Sequence, residues 1–283
     1  MKIALVSDTH FDSNDHLLVE NWHAVDRWLK ATRPDLVIHL GDITAKGSRD
    51  AAQLAFAHRV LAQSDFRIRA IPGNHDIGDC PTAPGQIPDE PLAPERLADY
   101  RRHFGRGHWC LEVEGWRLFG LNALLFATGL AEEEAQFAWL AQVLDHGDGP
   151  VGIFVHKPLC RDSLDEDIVH LRYVAKPARQ RLMAMLAGHD LRFVAAGHTH
   201  QVRSHHRDGV EHVWVPSAAF TVPDFRQEWI GEKCVGVMTL ELTANEHAFT
   251  HVIPAGLKAY NLLDFPHIDP AIAALRKQHG YLD

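Results

Sequence analysis

The chain has 283 residues, 46% of them hydrophobic and 23% charged, with a formal net charge of −9. Those proportions exclude a disordered or fibrous chain and leave room for one large globular unit with a sizeable core. The negative balance counts against a nucleic-acid partner, since phosphate backbones are held mainly by Lys and Arg, and no apolar run approaches the length of a membrane span.

The first half alternates strands and helices. Lys2–Ser7 reads as a buried strand. Its apolar run is cut by Ser7-Asp8, too early for the core of a signal peptide. Leu17–Ala31 has helical spacing, with Leu18, Val25, Trp28 and Leu29 on one face. Asp35–Leu40 is a second strand ending at Gly41-Asp42, Ala51–Gln63 a second helix, and Phe66–Ile71 a third strand closed by Pro72-Gly73. This order implies crossover connections and a mostly parallel sheet. Residues Ile77–Pro94, dense in Pro, Gly and Asp, are too many for an ordinary connection and are expected to form a functional loop or lid.

Glu95–Phe104 and Glu132–Leu144 read as helices flanking a hairpin, Cys110–Val113 and Trp116–Asn122, that turns at Glu114-Gly115. Val151–His156 is a buried strand, Pro177–Ala187 a helix with Pro177 at its start, and Leu191–Ala196 a strand running into Gly197-His198. Val202–His206, Glu211–Val215, Cys234–Leu240 and His247–Ile253 make the C-terminal part β-rich, with Asp208-Gly209 as a hairpin turn. One short helix, Pro270–Gln278, is expected in the tail. The organisation is therefore read as one domain over 1–256, with an insertion at 77–94, and a tail over 257–283 that packs on the domain or on a partner subunit of a homo-oligomer.

The chain carries 21 histidines, and their positions matter more than their number. Asp8 and His10 follow the first strand, Asp42 the second, Asn74 and His75 the third, His156 the fourth buried run, and His198 and His200 the Leu191–Ala196 strand. Ligands of α/β sheets gather at the carboxyl ends of strands. With no thiolate in the set, this is not a structural zinc site of the finger kind; carboxylate, imidazole and amide oxygen suit Mn, Fe, Zn or Co. Asp8-x-His10 and His198-x-His200 place alternate side chains on one side of an extended segment. The seven groups exceed one tetrahedral ion but suit two ions sharing a carboxylate. Two metals about 3.5–4 Å apart form a clamp for in-line displacement at phosphorus.

Ser7-Asp8-Thr9-His10, Gly41-Asp42, Gly73-Asn74-His75-Asp76, His156 and Gly197-His198-Thr199-His200, in that order, resemble the signature of the calcineurin-like metallophosphoesterases. The resemblance implies an α/β fold, a four-layer αββα sandwich of two mixed β-sheets flanked by helices. It also implies that Asp8, His10 and His200 hold one metal, that Asn74, His156 and His198 hold the other, and that Asp42 bridges them. His75 would contact the phosphoryl oxygens or help the leaving group depart, and Asp76 would orient His75 through a hydrogen bond.

Within that superfamily the chain is more similar to the bacterial branch of cyclic-nucleotide and glycerophosphodiester phosphodiesterases than to the protein phosphatases. Where a second His often follows the position of His156, this chain has Lys157. The expected activity is hydrolysis of a small-molecule phosphodiester by a hydroxide held by two metal ions. The rivals are a phosphomonoesterase with the same site, a nuclease, and an inactive binding module. His39 is expected in a core interface, His205 and His206 on a solvated hairpin face, and Trp109, Trp116 and Trp139 in the core. Phe220–Phe225 and Trp229 are candidates for a wall of the site. The four cysteines form no close pair and read as free thiols in a reducing compartment, hence a cytoplasmic protein.

Overall fold

The computed structural model describes residues 1–83, 85–268 and 270–280. In chain order the elements are β1 (Lys2–Val6), α1 (Leu17–Thr32), β2 (Leu36–His39), α2 (Ala51–Leu61), β3 (Ile68–Ala70) and a single turn, α3 (Asn74–Ile77). They continue with α4 (Pro94–Phe104), β4 (Trp109–Val113), β5 (Trp116–Gly120), α5 (Ala131–Leu144), β6 (Pro150–Val155), α6 (Lys176–Leu186) and β7 (Asp190–Ala196). The last are β8 (Arg203–Arg207), β9 (Val210–Trp214), β10 (Phe220–Thr221), β11 (Val237–Leu242), β12 (His247–Val252), β13 (Tyr260–Asn261) and α7 (Pro270–Gln278).

Two mixed sheets result. The first runs β12-β11-β1-β2-β3 and the second β4-β5-β6-β7-β9-β8. In the first, β1, β2 and β3 are parallel and β11 is antiparallel to β1. In the second, β5, β6, β7 and β9 are parallel, and β4 and β8 are antiparallel edges. The period-two alternation of a strand explains the layering. Along β1, Ile3 and Leu5 face the core between the sheets, which also holds Ile38, Trp116, Phe154 and Phe193. Ala4 and Val6 face the other way, toward Trp22, Val25 and Leu29 of α1 and Leu54 of α2. On the far side of the second sheet, Phe137 and Leu140 of α5 pack with Leu182 and Leu186 of α6. The helices thus cover both outer faces, giving the expected four layers. β1 is buried on both faces, which is why it reads as an unbroken apolar run rather than an alternating one.

The C-terminal segment folds back. Leu263, Phe265, Ile268 and Ile272 are buried against Leu18, Ala45, Ala219 and Phe220. Its entry is pinned by a two-residue parallel pairing of β10 with β13. The pairing is absent from the sequence reading, because its partners lie 40 residues apart and neither is long enough to leave a pattern. The final three positions of the 257–283 tail lie outside the described residues.

Two buried arginines order loops. Arg179 donates to the carbonyls of Leu164, Glu166 and Val174, fixing the segment between β6 and α6. Arg117 caps the carbonyl end of α5 at Val143 and Leu144. The 77–94 segment is also built rather than loose: Asp79 pairs with Glu90 and Leu92 through the backbone, and Glu90 takes Ser48 and Arg49. Pro84 within it lies outside the described residues.

Candidate metal centre

All seven expected donors meet at one rim, delivered by the ends of β1, β2 and β3 from one sheet and β6 and β7 from the other. Their loops turn sharply. Among the described residues nine non-glycine positions have positive φ, and five of them are Asp8, His10, Asp42, His198 and His200. Such backbone costs about 1–3 kcal/mol per residue and persists where the surrounding structure over-determines it. Here the loops are tied to one another: Asp8 N–H donates to the Gly41 carbonyl, and His10 N–H to the Asp42 carbonyl.

The donor atoms are individually aimed. One oxygen of Asp8, Oδ2, accepts from Ser7 Oγ and from His198 N–H. The other, Oδ1, is buried without a hydrogen-bond partner and lies 3.3 Å from His200 Nε2 and 3.9 Å from His10 Nε2. Asp42 divides likewise: Oδ1 accepts from His75 N–H at 2.8 Å, while Oδ2 stands 3.3 Å from His156 Nε2 and 3.9 Å from His10 Nε2. Asn74 Oδ1 is 3.2 Å from His156 Nε2. Asp8, His10 and His200 form one compact donor group; Asp42, His156 and His198 form a second; His10, Asp42 and His75 form a third between them.

The tautomers test whether cations fit. The Leu40 carbonyl faces His156 Nδ1 at 2.8 Å and the Phe220 carbonyl faces His200 Nδ1 at 2.7 Å. A carbonyl only accepts, so each Nδ1 carries its proton and each Nε2 is turned toward carboxylate or amide oxygen. An Nε2 in that position needs positive charge between it and those oxygens, supplied by a metal ion or, in its absence, by a proton on Nε2. The charge balance gives the same answer. Burial alone would lower His156, but Asp42 and Asp8 push it up to about 9. His200 rises for the same reason, with Asp8 outweighing burial. Burial would raise Asp8 and Asp42, yet the facing histidines hold both well below the usual carboxylate range. Burial and neighbouring histidines depress His10 and His198. A buried set of this kind, hard oxygens with imidazoles and one orphaned carboxylate oxygen, fits divalent or trivalent metals.

The supporting roles differ from the sequence reading in two places, the partner of Asp76 and the aromatic wall. Asp76 does not orient His75. Its carboxylate takes the N–H groups of Gly73, Ile43 and Thr44 and the Thr44 hydroxyl. It therefore staples the β2 loop to the β3 loop, because it lies at the third position of a turn whose start is Gly73. Burial and the nearby Asp42 push it up to about 6, against those four donors. The ring of His75 is anchored instead at Nδ1 by the Ala45 carbonyl, 2.9 Å away. Lys157 does not face the cleft; it is fully buried, with its ammonium on Asp79 and Cys80. Of the aromatic wall, Phe220 is present, its ring stacked on His10 at 4.9 Å, whereas Phe225 and Trp229 are exposed.

His39 is buried as expected, at 3.0 Å from the Thr9 hydroxyl. His205 and His206 sit on β8, with His205 stacked on His212. Trp116 is fully buried, and Trp109 and Trp139 are partly so. All four cysteines are unpaired.

Above the metal rim lies a cavity of ≈ 380 Å³. His10, Asp42, His75, His198 and His200 form its floor, and Arg172, Arg226, Val222, Leu262, Ile268 and Ile272 its walls. Past His75, Leu171 and Ile268, a second lobe of ≈ 220 Å³ opens beside Asn74, Asp79 and Glu90. Arg172, Arg226 and Ile268 were missed in the sequence. Nothing in their local pattern marks them, since they reach the cavity only through long-range folding.

The calcineurin-like phosphoesterase family model matches residues 1–202. A probable cyclic nucleotide phosphodiesterase of Fibrobacter succinogenes is 26% identical over 208 residues, which is 71% of this chain and 73% of that protein. A glycerophosphodiester phosphodiesterase of Enterobacter lignolyticus is 31% identical over 169 residues, 56% of this chain and 57% of that one. The crystal structure of a dimetal phosphatase from Danio rerio shares the fold, with a TM-score of 0.61 at 14% identity over 89% of this chain and 95% of that chain. No helix among the described residues is long and apolar enough to cross a membrane.

Proposed function

The chain belongs to the calcineurin-like phosphoesterase family, whose members are metal-dependent phosphoester hydrolases, and on that premise we propose that it is a phosphodiesterase with two metal ions in the cleft. Asp8, His10 and His200 would hold one ion and Asn74, His156 and His198 the other, with Asp42 available to both. The donor set suits Mn, Fe, Zn or Co. When bound, the ions lower the pKa of an attacking water and neutralise charge on the phosphoryl oxygens.

The observation that carries the diester reading is the two-lobed cleft. Space opens on both sides of His75, enough for two ester arms, whereas a monoester has one. Relatives named as diesterases support it. His75 faces the reacting group, and because the Ala45 carbonyl takes Nδ1–H, any proton it hands to the departing oxygen sits on Nε2. Phe220 packs on His10 and excludes water from that side of the metal rim. The four unpaired thiols support a reducing, cytoplasmic location.

One feature favours a phosphomonoesterase instead: Arg172 and Arg226 in the cavity wall could meet a dianionic phosphate. The deciding measurement is kcat/KM for bis(p-nitrophenyl) phosphate against p-nitrophenyl phosphate, on protein of measured metal content reconstituted with Mn. Faster diester turnover is expected, with Asp42→Ala inactive and depleted of metal. Faster monoester turnover overturns the diester reading. Full activity in Asp42→Ala overturns the metal assignment.

A further inference from the structure

We propose that the outer edge of β3 carries a second binding site, separate from the metal centre, for a small amphiphilic anion: a short apolar or aromatic body with a phosphate- or sulfate-type head. β3 ends the first sheet, and two hollows flank its edge. One, of ≈ 190 Å³, has Leu61, Phe66, Ile68 and Phe104 among its walls. The other, of ≈ 420 Å³, has Arg67, Arg69, Arg106 and His108 among its own. Ile68, Ala70 and Phe104 line both, so apolar and basic space share one wall. Neither hollow shares a residue with the metal cleft, and the site does not depend on the phosphoesterase reading.

The charge balance points to the head group. Among the described residues no carboxylate forms an ion pair with Arg67, Arg69 or Arg106, and none lines either hollow. The carboxylates nearest in the chain are accounted for. Asp35 accepts from the Lys2 N–H, Asp65 stands 3.7 Å from Lys30, and Asp99 pairs with Arg102 at 2.6 Å. Glu112 falls on the face of β4 opposite to Trp109. Two histidines report the field. His108 is pushed down to about 4 by burial, then by Arg106 and Arg101, with no acid raising it. His103 is lowered by burial, then by His58 and Arg102, with Asp99 the one carboxylate opposing them. In a chain of net charge −9, such a cluster of arginines is a local exception. Their planar donor forks match the oxygens of a phosphate or sulfate group.

The walls are held in place. Along β3, Ile68 and Ala70 pack into the core under α1 and α2, and Arg67 and Arg69 fall on the alternate face. The Ala70 carbonyl accepts from Trp109 Nε1 at 3.1 Å, tying the β3 edge to β4. Arg106 stands between Gly105 and Gly107, both at positive φ, and a Cβ on Gly107 would lie 3.1 Å from Pro72 Cδ. The turn that presents Arg106 is therefore seated on Pro72. Phe104, the shared wall, packs on Tyr100 with ring centroids 5.1 Å apart and on His58 at 5.8 Å. A hollow already formed, apolar at one end with a few convergent donors at the other, loses little entropy when a ligand enters. The ≈ 190 Å³ lobe suits a short alkyl chain or a single ring, not a long acyl tail, so the ligand is a free small molecule and not a membrane lipid.

The test is calorimetry on the Mn-loaded, full-length protein with hexanesulfonate, hexyl glucoside and inorganic sulfate. Sulfonate and sulfate are weak metal ligands, which keeps the probes out of the metal cleft. Hexanesulfonate should bind about tenfold more tightly than either of the others, the size of one charge-assisted contact added to apolar burial. The Arg69→Gln/Arg106→Gln double variant should weaken hexanesulfonate about tenfold and leave turnover of bis(p-nitrophenyl) phosphate within about twofold of wild type. Arg69→Lys/Arg106→Lys, which keeps the charge, should retain part of the affinity. Equal binding of hexanesulfonate to wild type and the glutamine variant overturns the site, because the probe then sits elsewhere. Hexyl glucoside binding as tightly removes the head-group subsite, and sulfate binding as tightly removes the place for a body. Loss of turnover in the glutamine variant, with a native circular dichroism spectrum, overturns the separation from the metal centre. A wild type that hydrolyses neither nitrophenyl ester would sink the phosphoesterase reading and leave the binding comparison to decide this site alone.

Discussion

Glycines precede the donors in three of the motif blocks, and two of them show why. A Cβ on Gly73 would sit 2.2 Å from both the backbone nitrogen and Oδ1 of Asp42, and one on Gly197 would meet Ser7 Oγ at 2.0 Å. Their φ angles are not left-handed; the demand is for close approach of one donor loop to another. Gly73→Ala is expected to push Asp42 aside and lower metal occupancy at least tenfold with the fold retained; normal metal content with a native circular dichroism spectrum would refute this. His75→Ala should retain metal and lose about 10²–10⁴-fold in kcat, the usual worth of a positioned proton donor. Loss of metal as well would instead make His75 a ligand.

A pH effect belongs to the same scale. Burial first, then His205 and Arg203, drives His212 down to about 4. The unfolded chain takes up its proton near pH 6.5 and the folded chain only near 4, so stability falls as pH drops through that window, by on the order of 3 kcal/mol. Urea midpoints from pH 7 to 4 should fall less steeply in His212→Gln; parallel curves would remove His212 as the cause.

Among the elements, the segment around Asp79 depends on a single buried cation. Lys157 holds Asp79 and Cys80 from below, one residue after His156. Lys157→Met should fill the same space, leave Asp79 without its cation and raise amide exchange selectively across 77–92. Unchanged exchange there would mean that Glu90, on Ser48 and Arg49, holds the segment alone. This role was not readable from the chain, because Asp79 and Lys157 are 78 residues apart. By contrast, β1, β2, β3, β6 and β7 were legible. Each is a buried apolar run ended by a polar donor block, and both signals are local. Element ends moved by a few residues; β3, for example, spans Ile68–Ala70 rather than starting at Phe66, since pairing with β2 begins at Ile68. Asp76 was legible as belonging to the site but not as a staple, for its partners Ile43 and Thr44 lie on another loop.

For the molecule as a whole, the C-terminal return is both core and wall. Ile268 is 3% exposed and lines both lobes of the cleft. Ile268→Ala should destabilise by about 2–4 kcal/mol through the cavity it leaves. It should also raise KM for large esters more than kcat changes. Equal KM values for large and small esters would confine Ile268 to a packing role.

The placement of the donors has a mechanical consequence. Each proposed ligand triplet draws on both sheets: Asp8 and His10 with His200, and Asn74 with His156 and His198. The two sheets otherwise meet mainly through an apolar core, crossed at its margins by hydrogen bonds such as Trp109 Nε1 to the Ala70 carbonyl and Trp116 Nε1 to the Thr243 carbonyl, and apolar contact resists separation better than sliding. Ligation would rivet that seam at one edge, coupling metal affinity to the shear stiffness of the sandwich. At a free metal concentration one thousand times Kd, the coupling adds about 4 kcal/mol to the folded state. Chelation should therefore lower the unfolding midpoint and loosen amide protection along β1 and β7 together, although neither strand loses a hydrogen bond of its own.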